Sequence, residues 1–335
     1  MPETLKQRSR LRHKSWRYPI RLFDKANMLP EDGDRDDGRA MMDFEQVASG
    51  FCLIEAPRWD GANLWFTDIL LGGFRRLNAD GSIDAWLTGR TTVGGLALNE
   101  DGAMIVSGTG GIVWIDPESG ASGTLIDAVG GEPISGVNDI FPDGEGGLYF
   151  GTVDHINMLA GREFFGKSAL YRLAPDGTTT FFHDGIGFSN GIGLSPDGGR
   201  VYIVDSAAGV IATQLGADGS PGATAMLCEL AGIDGMTVDA EGNIWGALIQ
   251  SGDVAKIGPD GKVIETFAVP GGHPVAVCFG GPELTDLYIT TASPGAGEAA
   301  LDRSQLPSVP RTAGIYRIAG AGKGMVLART GFRLV

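Results

Sequence analysis

Residues 64–68 read Leu-Trp-Phe-Thr-Asp, and strand-like runs of this kind recur along the chain. The repeating unit is an apolar strand, a turn such as Asp101-Gly102, an aromatic-rich strand and a short connection to a further strand. Six copies can be drawn, with second strands near residues 64–68, 103–107, 148–152, 201–205, 243–247 and 287–291. Their spacing of about forty to fifty residues is that of a four-stranded propeller blade. The repeat therefore predicts an all-β, six-bladed β-propeller with four-stranded antiparallel blades.

The chain divides into two parts by composition. Eight lysines and arginines but only two acidic residues lie within the first 25 positions. We interpret residues 1–43 as a basic N-terminal extension, either an arm or a partly disordered segment, and residues 44–335 as the propeller and catalytic domain. Because a terminal strand commonly closes a propeller ring, we expect residues 44–47 to pair beside residues 314–318.

Overall charge and cysteine content limit the classes of function. The formal net charge of −15 disfavours nucleic acid and anionic membranes as partners, since both repel an acidic protein. No stretch reaches the length of a membrane span, and the N-terminus lacks the pattern of a secretory signal. Three widely spaced cysteines fit neither a disulfide framework nor a zinc motif. We therefore expect a cytoplasmic protein that acts on a small molecule, with an oligomeric state that the sequence leaves open.

Four oxygen-bearing side chains stand at nearly the same place in four of the repeats. Glu55, Asn138, Asn190 and Asp234 each lie ten to twelve residues before an aromatic residue of the second strand. Equal register in blades around one axis brings such side chains to the same depth near that axis. Two carboxylates and two amide oxygens suit a hard divalent cation, so we predict one metal ion at the centre of the propeller. Ca²⁺ is favoured, with Mg²⁺, Mn²⁺, Zn²⁺ and Fe²⁺ as alternatives.

The residues around these four positions form an ordered set of motifs. They are Glu55-Ala-Pro-Arg-Trp59, Val137-Asn138-Asp139 before Asp143-Gly144, Phe188-Ser-Asn-Gly191 before Ser195-Pro-Asp-Gly198, and Ile233-Asp-Gly-Met236 before Asp239-Ala-Glu-Gly242. In this order they resemble the senescence marker protein, regucalcin and gluconolactonase family over roughly residues 45–320.

The resemblance implies a metal-dependent lactonase. In that family the positions matching Glu55, Asn190 and Asp234 hold a divalent metal, and the position of Asn138 joins or adjoins it. It further implies that Asp234 is the general base and that Glu55 is only a ligand. Asp139, next to a ligand, is expected to accept hydrogen bonds and to orient it.

The expected substrate class depends on one position where the chain departs from the family pattern and on one insertion. Sugar-lactone members of the family have an arginine where this chain has Gly136, so a polyhydroxylated lactone loses an expected partner. The insertion over residues 153–168 supplies Phe164 and Phe165, which with Phe188 are expected to line a more apolar pocket. His273 either touches the substrate or is a structural imidazole.

The leading hypothesis is thus hydrolysis of a lactone with a less polar or aromatic substituent. A phosphotriester or organophosphate hydrolase is the first alternative, since the same cation would polarise a phosphoryl oxygen. A non-catalytic calcium-binding propeller is the second.

Overall fold

A computed structural model describes residues 42–334 of the chain. Residues 1–41 and Val335 lie outside the described part, so the interpretation of residues 1–43 as an arm falls almost wholly outside it. The first described strand, β1 (Phe44–Phe51), belongs to the last blade.

The first three blades follow one another along the chain. Blade one contains β2 (Ile54–Trp59), β3 (Leu64–Asp68), β4 (Phe74–Leu77) and β5 (Ile83–Trp86). Blade two contains β6 (Leu96–Leu98), β7 (Met104–Gly108), β8 (Gly111–Ile115) and β9 (Ser122–Ile126). A small hairpin of β10 (Ala128–Val129) and β11 (Glu132–Pro133) follows. Blade three contains β12 (Gly136–Pro142), β13 (Leu148–Val153), β14 (Ser168–Leu173) and β15 (Thr179–Ile186).

Three further blades complete the ring. Blade four contains β16 (Ser189–Leu194), β17 (Arg200–Asp205), β18 (Gly209–Leu215) and β19 (Pro221–Glu229). Blade five contains β20 (Ile233–Val238), β21 (Ile244–Leu248), β22 (Asp253–Ile257) and β23 (Val263–Ala268). Blade six contains β24 (Pro274–Gly280), β25 (Asp286–Thr291), β26 (Ala313–Ile318) and β1. All pairings within the blades are antiparallel, which confirms the predicted six-bladed propeller.

The sixth blade joins both ends of the described chain. Strand β1 pairs with β26, with Phe44 opposite Ile318 and Phe51 opposite Ala313. The expected pairing of residues 44–47 with residues 314–318 is therefore confirmed. The hydrophobic faces of neighbouring blades cover one another, and each blade buries large side chains such as Phe66, Phe150 and Trp245.

Two excursions from the blades carry the helices. Helix α1 (His155–Leu159) lies between β13 and β14, and Asp154 caps it by accepting a hydrogen bond from the backbone of Asn157. Helix α2 (Ala296–Leu301) and the 3-10 helix Arg303–Ser308 lie between β25 and β26. Over residues 42–334 we find no helix with the length and apolar character needed to cross a bilayer. Cys52, Cys228 and Cys278 are buried and unpaired.

The segment after β26 crosses the far ends of the innermost strands. Lys323 accepts a hydrogen bond from Ala240 in blade five at 2.7 Å, and Thr330 donates to Leu98 in blade two at 2.9 Å. Phe332 then enters the core between blades two and three, where it is only 5% exposed. Residues 321–334 therefore form a strap that joins blades on both sides of the axis.

Phe332→Ala should lower the free energy of unfolding by about 3–5 kcal/mol, because it empties a packed site. Val326→Ala is the matched control in the same strap, since Val326 is 84% exposed, and it should change stability by less than about 0.5 kcal/mol. Urea denaturation measures both. Equal effects of the two variants would show that the strap does not contribute to the core.

Candidate functional site

Each of the four candidate ligands lies at an irregularity in the innermost strand of its blade. Register shifts fall between Glu55 and Arg58, Val137 and Ile140, Ser189 and Ile192, and Ile233 and Met236. A bulge of this kind interrupts the alternation of side chains and aims one of them in a new direction. The backbone of Ala56, directly after Glu55, has a φ of 46°, which is a rare conformation for a residue with a side chain. The bulges explain how four strands direct oxygen-bearing side chains toward one cavity.

The four side chains line one cavity of about 80 Å³ at the propeller axis. The remaining wall is mostly apolar and is formed by Leu53, Ile69, Thr92, His155, Met158, Phe188, Ile249, Ala300 and Leu301. Helices α1 and α2 both contribute to this wall, so the two excursions cap the same end of the axis. The structure thus brings Glu55, Asn138, Asn190 and Asp234 together.

The two carboxylates of this set are held in a poorly solvated place. Asp234 is 8% exposed, and its Oδ1 has no hydrogen-bond partner among residues 42–334. Burial raises the pKa of Asp234 to about 7, the nearby Asn190 amide opposes this rise, and the charge of Asp139 adds to it. Glu55 also lines the cavity. Desolvation and the negative charge of Asp234 raise the pKa of Glu55 well above its usual range.

The two amides are oriented by neighbouring polar groups. Asn138 donates from Nδ2 to the carbonyl of Ser189 at 3.0 Å, and Asn190 donates from Nδ2 to the hydroxyl of Ser206 at 3.3 Å. A carbonyl oxygen only accepts, so the nitrogen of Asn138 must face Ser189 and its oxygen is left for another partner. Both asparagines can therefore offer an amide oxygen to a cation.

Arg58, to which the sequence assigned no role, contacts Asp139, the residue next to the candidate ligand Asn138. Arg58 is 6% exposed and donates to Asp139 Oδ1 and to the carbonyl of Ile140, both at 3.1 Å. It also donates to the carbonyl of Leu96 at 3.0 Å, which ties blades one, two and three together. Burial raises the pKa of Asp139, and Arg58 opposes that rise. Asp139 accepts hydrogen bonds from Arg58 and from the backbone N–H of Ile140, and its role in orienting Asn138 stays a prediction.

These features fit a divalent cation. When ionised, Glu55, Asp139 and Asp234 exceed the charge of Arg58 by two negative units, and one buried carboxylate oxygen of Asp234 has no partner. In the described part of the chain, no three His, Cys, Asp or Glu side chains are grouped as a metal site. The amide oxygens of Asn138 and Asn190 are thus needed to complete a donor set of the type that hard cations prefer.

The predicted substrate residues do not all reach the cavity. Phe188 lines it, whereas Phe164 and Phe165 lie behind Phe188, with ring centroids 6.1 and 6.2 Å from its ring. Phe164 and Phe165 also stack on each other at 4.6 Å. His273 is half-buried outside the cavity wall, with Nδ1 3.5 Å from the carbonyl of Ile249.

Gly136 is covered by the imidazole of His155. A Cβ atom on Gly136 would lie 2.2 Å from His155 Nδ1 and 2.5 Å from its Cγ, so no side chain fits there while His155 keeps its place. His155 is 4% exposed, and burial lowers its pKa to about 4, which leaves the ring neutral. The insertion therefore fills the space beside Gly136 through His155, a residue that the sequence alone did not single out.

Six blades around an axial cavity lined by carboxylate and amide side chains define a propeller with its binding site on the axis. The chain belongs to the SMP-30/gluconolactonase/LRE-like family, whose model matches residues 53–293. This membership confirms the resemblance seen in the motifs.

Two relatives agree with this family, and a solved structure shares the fold. A pentonolactonase of Haloferax volcanii is 28% identical over 305 residues, covering 88% of this chain and all of the relative. A 6-deoxy-6-sulfogluconolactonase of Pseudomonas putida is 31% identical over 252 residues, covering 72% of this chain and 83% of the relative. The structure of regucalcin, a calcium-binding protein from Agrobacterium tumefaciens, superposes with a TM-score of 0.73 at 24% identity, covering 88% of this chain and 98% of that one. This last likeness shows the common fold.

The raised pKa of Asp234 predicts a pH-dependent stability of the metal-free protein. Between about pH 4 and about pH 7 the folded state keeps a proton that the unfolded state has released, so the free energy of unfolding falls as pH rises through this window. Urea denaturation with a chelator present should show wild type losing stability relative to Asp234→Asn from about pH 4 to about pH 7. A difference that does not change with pH would contradict the burial of an ionisable Asp234.

The contact between Gly136 and His155 predicts a thermodynamic coupling. Gly136→Ala should cost about 1–3 kcal/mol in wild type because the added methyl group overlaps the imidazole. In a His155→Gly background the cost should shrink, giving a coupling above about 1 kcal/mol in a double-mutant cycle. Gly89→Ala is the control, since a Cβ at Gly89 meets open space, and it should show no coupling to His155→Gly. Additive effects of Gly136→Ala and His155→Gly would contradict the contact.

Proposed function

We propose that this protein is a metal-dependent lactonase, a hydrolase that opens the ring of a cyclic ester. The observation that carries the proposal is the axial cavity in which the carboxylates of Glu55 and Asp234 meet two amide oxygens, with Asp234 Oδ1 left without a partner. Relatives that cover most of the chain are named lactonases, which supports the same reaction.

The cation would be held by Glu55, Asn138, Asn190 and Asp234. An all-oxygen set favours Ca²⁺ over softer metals, while Mg²⁺, Mn²⁺, Zn²⁺ and Fe²⁺ are the alternatives to be compared. When bound, such a cation polarises an ester carbonyl and makes water more acidic. Glu55 serves only as a ligand in this proposal.

Asp234 is proposed as the general base. Its carboxylate takes a proton from the water that attacks the lactone carbonyl carbon, and a new carbon–oxygen bond forms. The ring carbon–oxygen bond then breaks, and the departing alkoxide receives the proton from Asp234. The products together equal lactone plus water, a single hydroxy acid. Asp139, anchored by Arg58, keeps the backbone next to Asn138 in place during these steps.

The apolar wall supports a lactone with a less polar or aromatic substituent. Phe188, Met158 and Leu301 lie around the donor set, and Phe164 with Phe165 stiffens the position of Phe188. A cavity of about 80 Å³ is smaller than most ligand pockets. We therefore place only the reacting ring inside, with the substituent against α1 and α2 at the mouth. The partner is thus a small-molecule lactone, and a cytoplasmic location stays a prediction.

Removal of the cation tests the proposal. A verified metal-free sample should lose hydrolysis of all lactones and melt at a lower temperature, because a bound ion stabilises only the folded state. Reloading with each of the five cations should restore activity, most with Ca²⁺.

Glu55→Gln should weaken metal affinity, with Glu118→Gln, an exposed residue, as its unaffected control. Asp234→Asn should retain part of the metal and lose turnover by about a hundredfold or more.

A panel of lactones and phosphotriesters separates the alternatives. Full activity without metal would overturn the mechanism. Hydrolysis of phosphotriesters alone would favour an organophosphate hydrolase. Tight calcium binding without any hydrolysis would favour a non-catalytic calcium-binding propeller. Better hydrolysis of gluconolactone than of aromatic-substituted lactones would contradict the proposed substrate class.

A further inference from the structure

The imidazole of His155 forms a polar part of an otherwise apolar stretch of the cavity wall. It comes from the first residue of α1, lies against Gly136 of β12 and lines the same cavity as the four candidate ligands. His155 is 4% exposed, and its hydrogen-bond partner among residues 42–334 is Thr109, which it contacts through Nδ1. Nε2, the other ring nitrogen of this cavity-lining residue, is therefore available to a ligand.

A chain of hydroxyl groups fixes which nitrogen of His155 carries the proton. Thr92 Oγ1 lies 2.5 Å from the carbonyl of Thr91, which only accepts, so Thr92 donates there. Thr109 Oγ1, 2.6 Å from Thr92 Oγ1, must then donate to Thr92. With its hydrogen used, Thr109 Oγ1 can only accept from His155 Nδ1, 3.2 Å away. A neutral His155 therefore carries its hydrogen on Nδ1 and offers Nε2 as an acceptor.

We propose that His155 is a specificity-determining residue whose Nε2 accepts a hydrogen bond from a hydroxyl or amide N–H group of the substrate. The inference rests on the proposed lactonase function and narrows its substrate class. The favoured lactone carries one uncharged hydrogen-bond donor on an otherwise apolar framework. A neutral acceptor gives no attraction to a carboxylate or sulfonate group, so an anionic substituent at that place is rejected.

Three lactones that differ only in one substituent test the inference. A hydroxymethyl group can donate, a methoxymethyl group can only accept, and an ethyl group does neither. Wild type should show a higher kcat/KM for the hydroxymethyl lactone than for the other two. His155→Ala should reduce the preference for hydroxymethyl over methoxymethyl by about tenfold, in line with the loss of one hydrogen bond. His155→Gln keeps an acceptor oxygen and most of the volume, so it should retain part of the preference.

Thr109→Val tests the proton position on His155, because a purely structural role of His155 would leave the preference between the two lactones unchanged. It removes the acceptor of the Nδ1 hydrogen, so the proton can move to Nε2 and the preference should shift toward the methoxymethyl lactone. His183→Ala is the control, since His183 lies on the outer strand β15, and it should leave all ratios within about twofold.

The outcomes separate the two proposals. Unchanged ratios in both His155 variants, with lactones still hydrolysed, would overturn the role of His155 and leave the lactonase function intact. A wild-type protein that opens no lactone when loaded with metal would overturn both.

Discussion

The confinement of two like charges near the propeller axis is the constraint around which this molecule is organised. Glu55 and Asp234 come from blades one and five and share one poorly solvated cavity, where each raises the cost of ionising the other. Water would relieve this cost on an open surface, but the axis excludes most of it. The negative charge of the two carboxylates must therefore be neutralised, either by a nearby positive charge or by binding of a proton.

The buried pair of Arg58 and Asp139 provides only part of that compensation. Its arginine also donates hydrogen bonds to carbonyl groups in blades two and three, which hold the guanidinium in place. A buried ion pair of this kind contributes little net stability, because both charges lose their water. Its contribution here is geometric, since Arg58 links the innermost strands of blades one, two and three.

The sequence predicted the blades because each strand carries its own signal. Aromatic runs near Trp65 and Trp245 and turns such as Asp101-Gly102 depend on local structure, and they lie where the repeat required. The four donors were also predictable, since equal register in equivalent strands sets equal depth. The bulges beside them were not, because a register shift depends on the neighbouring strand.

The features of the site that the sequence did not predict arise from contacts between segments that are distant in the chain. That Phe164 and Phe165 lie behind Phe188 follows from the path of the insertion, which no periodicity encodes. The overlap of His155 with Gly136 has the same origin, and so does the role of Arg58, whose partners lie in other blades. His273 was expected either to touch the substrate or to be structural, and its ring lies near the backbone carbonyl of Ile249 without lining the cavity itself.

The shared sixth blade has a consequence for how the chain reaches its fold. Strand β1 is synthesised before the other described strands, and its partner β26 is synthesised after them. Until then Phe44–Phe51 is an unpaired edge that can add to other strands, including those of a neighbouring nascent chain. Ring closure is therefore a late, long-range event, and such contacts slow folding. The exposed polar residues of β1, Glu45 and Gln46, lessen this hazard before β26 is available.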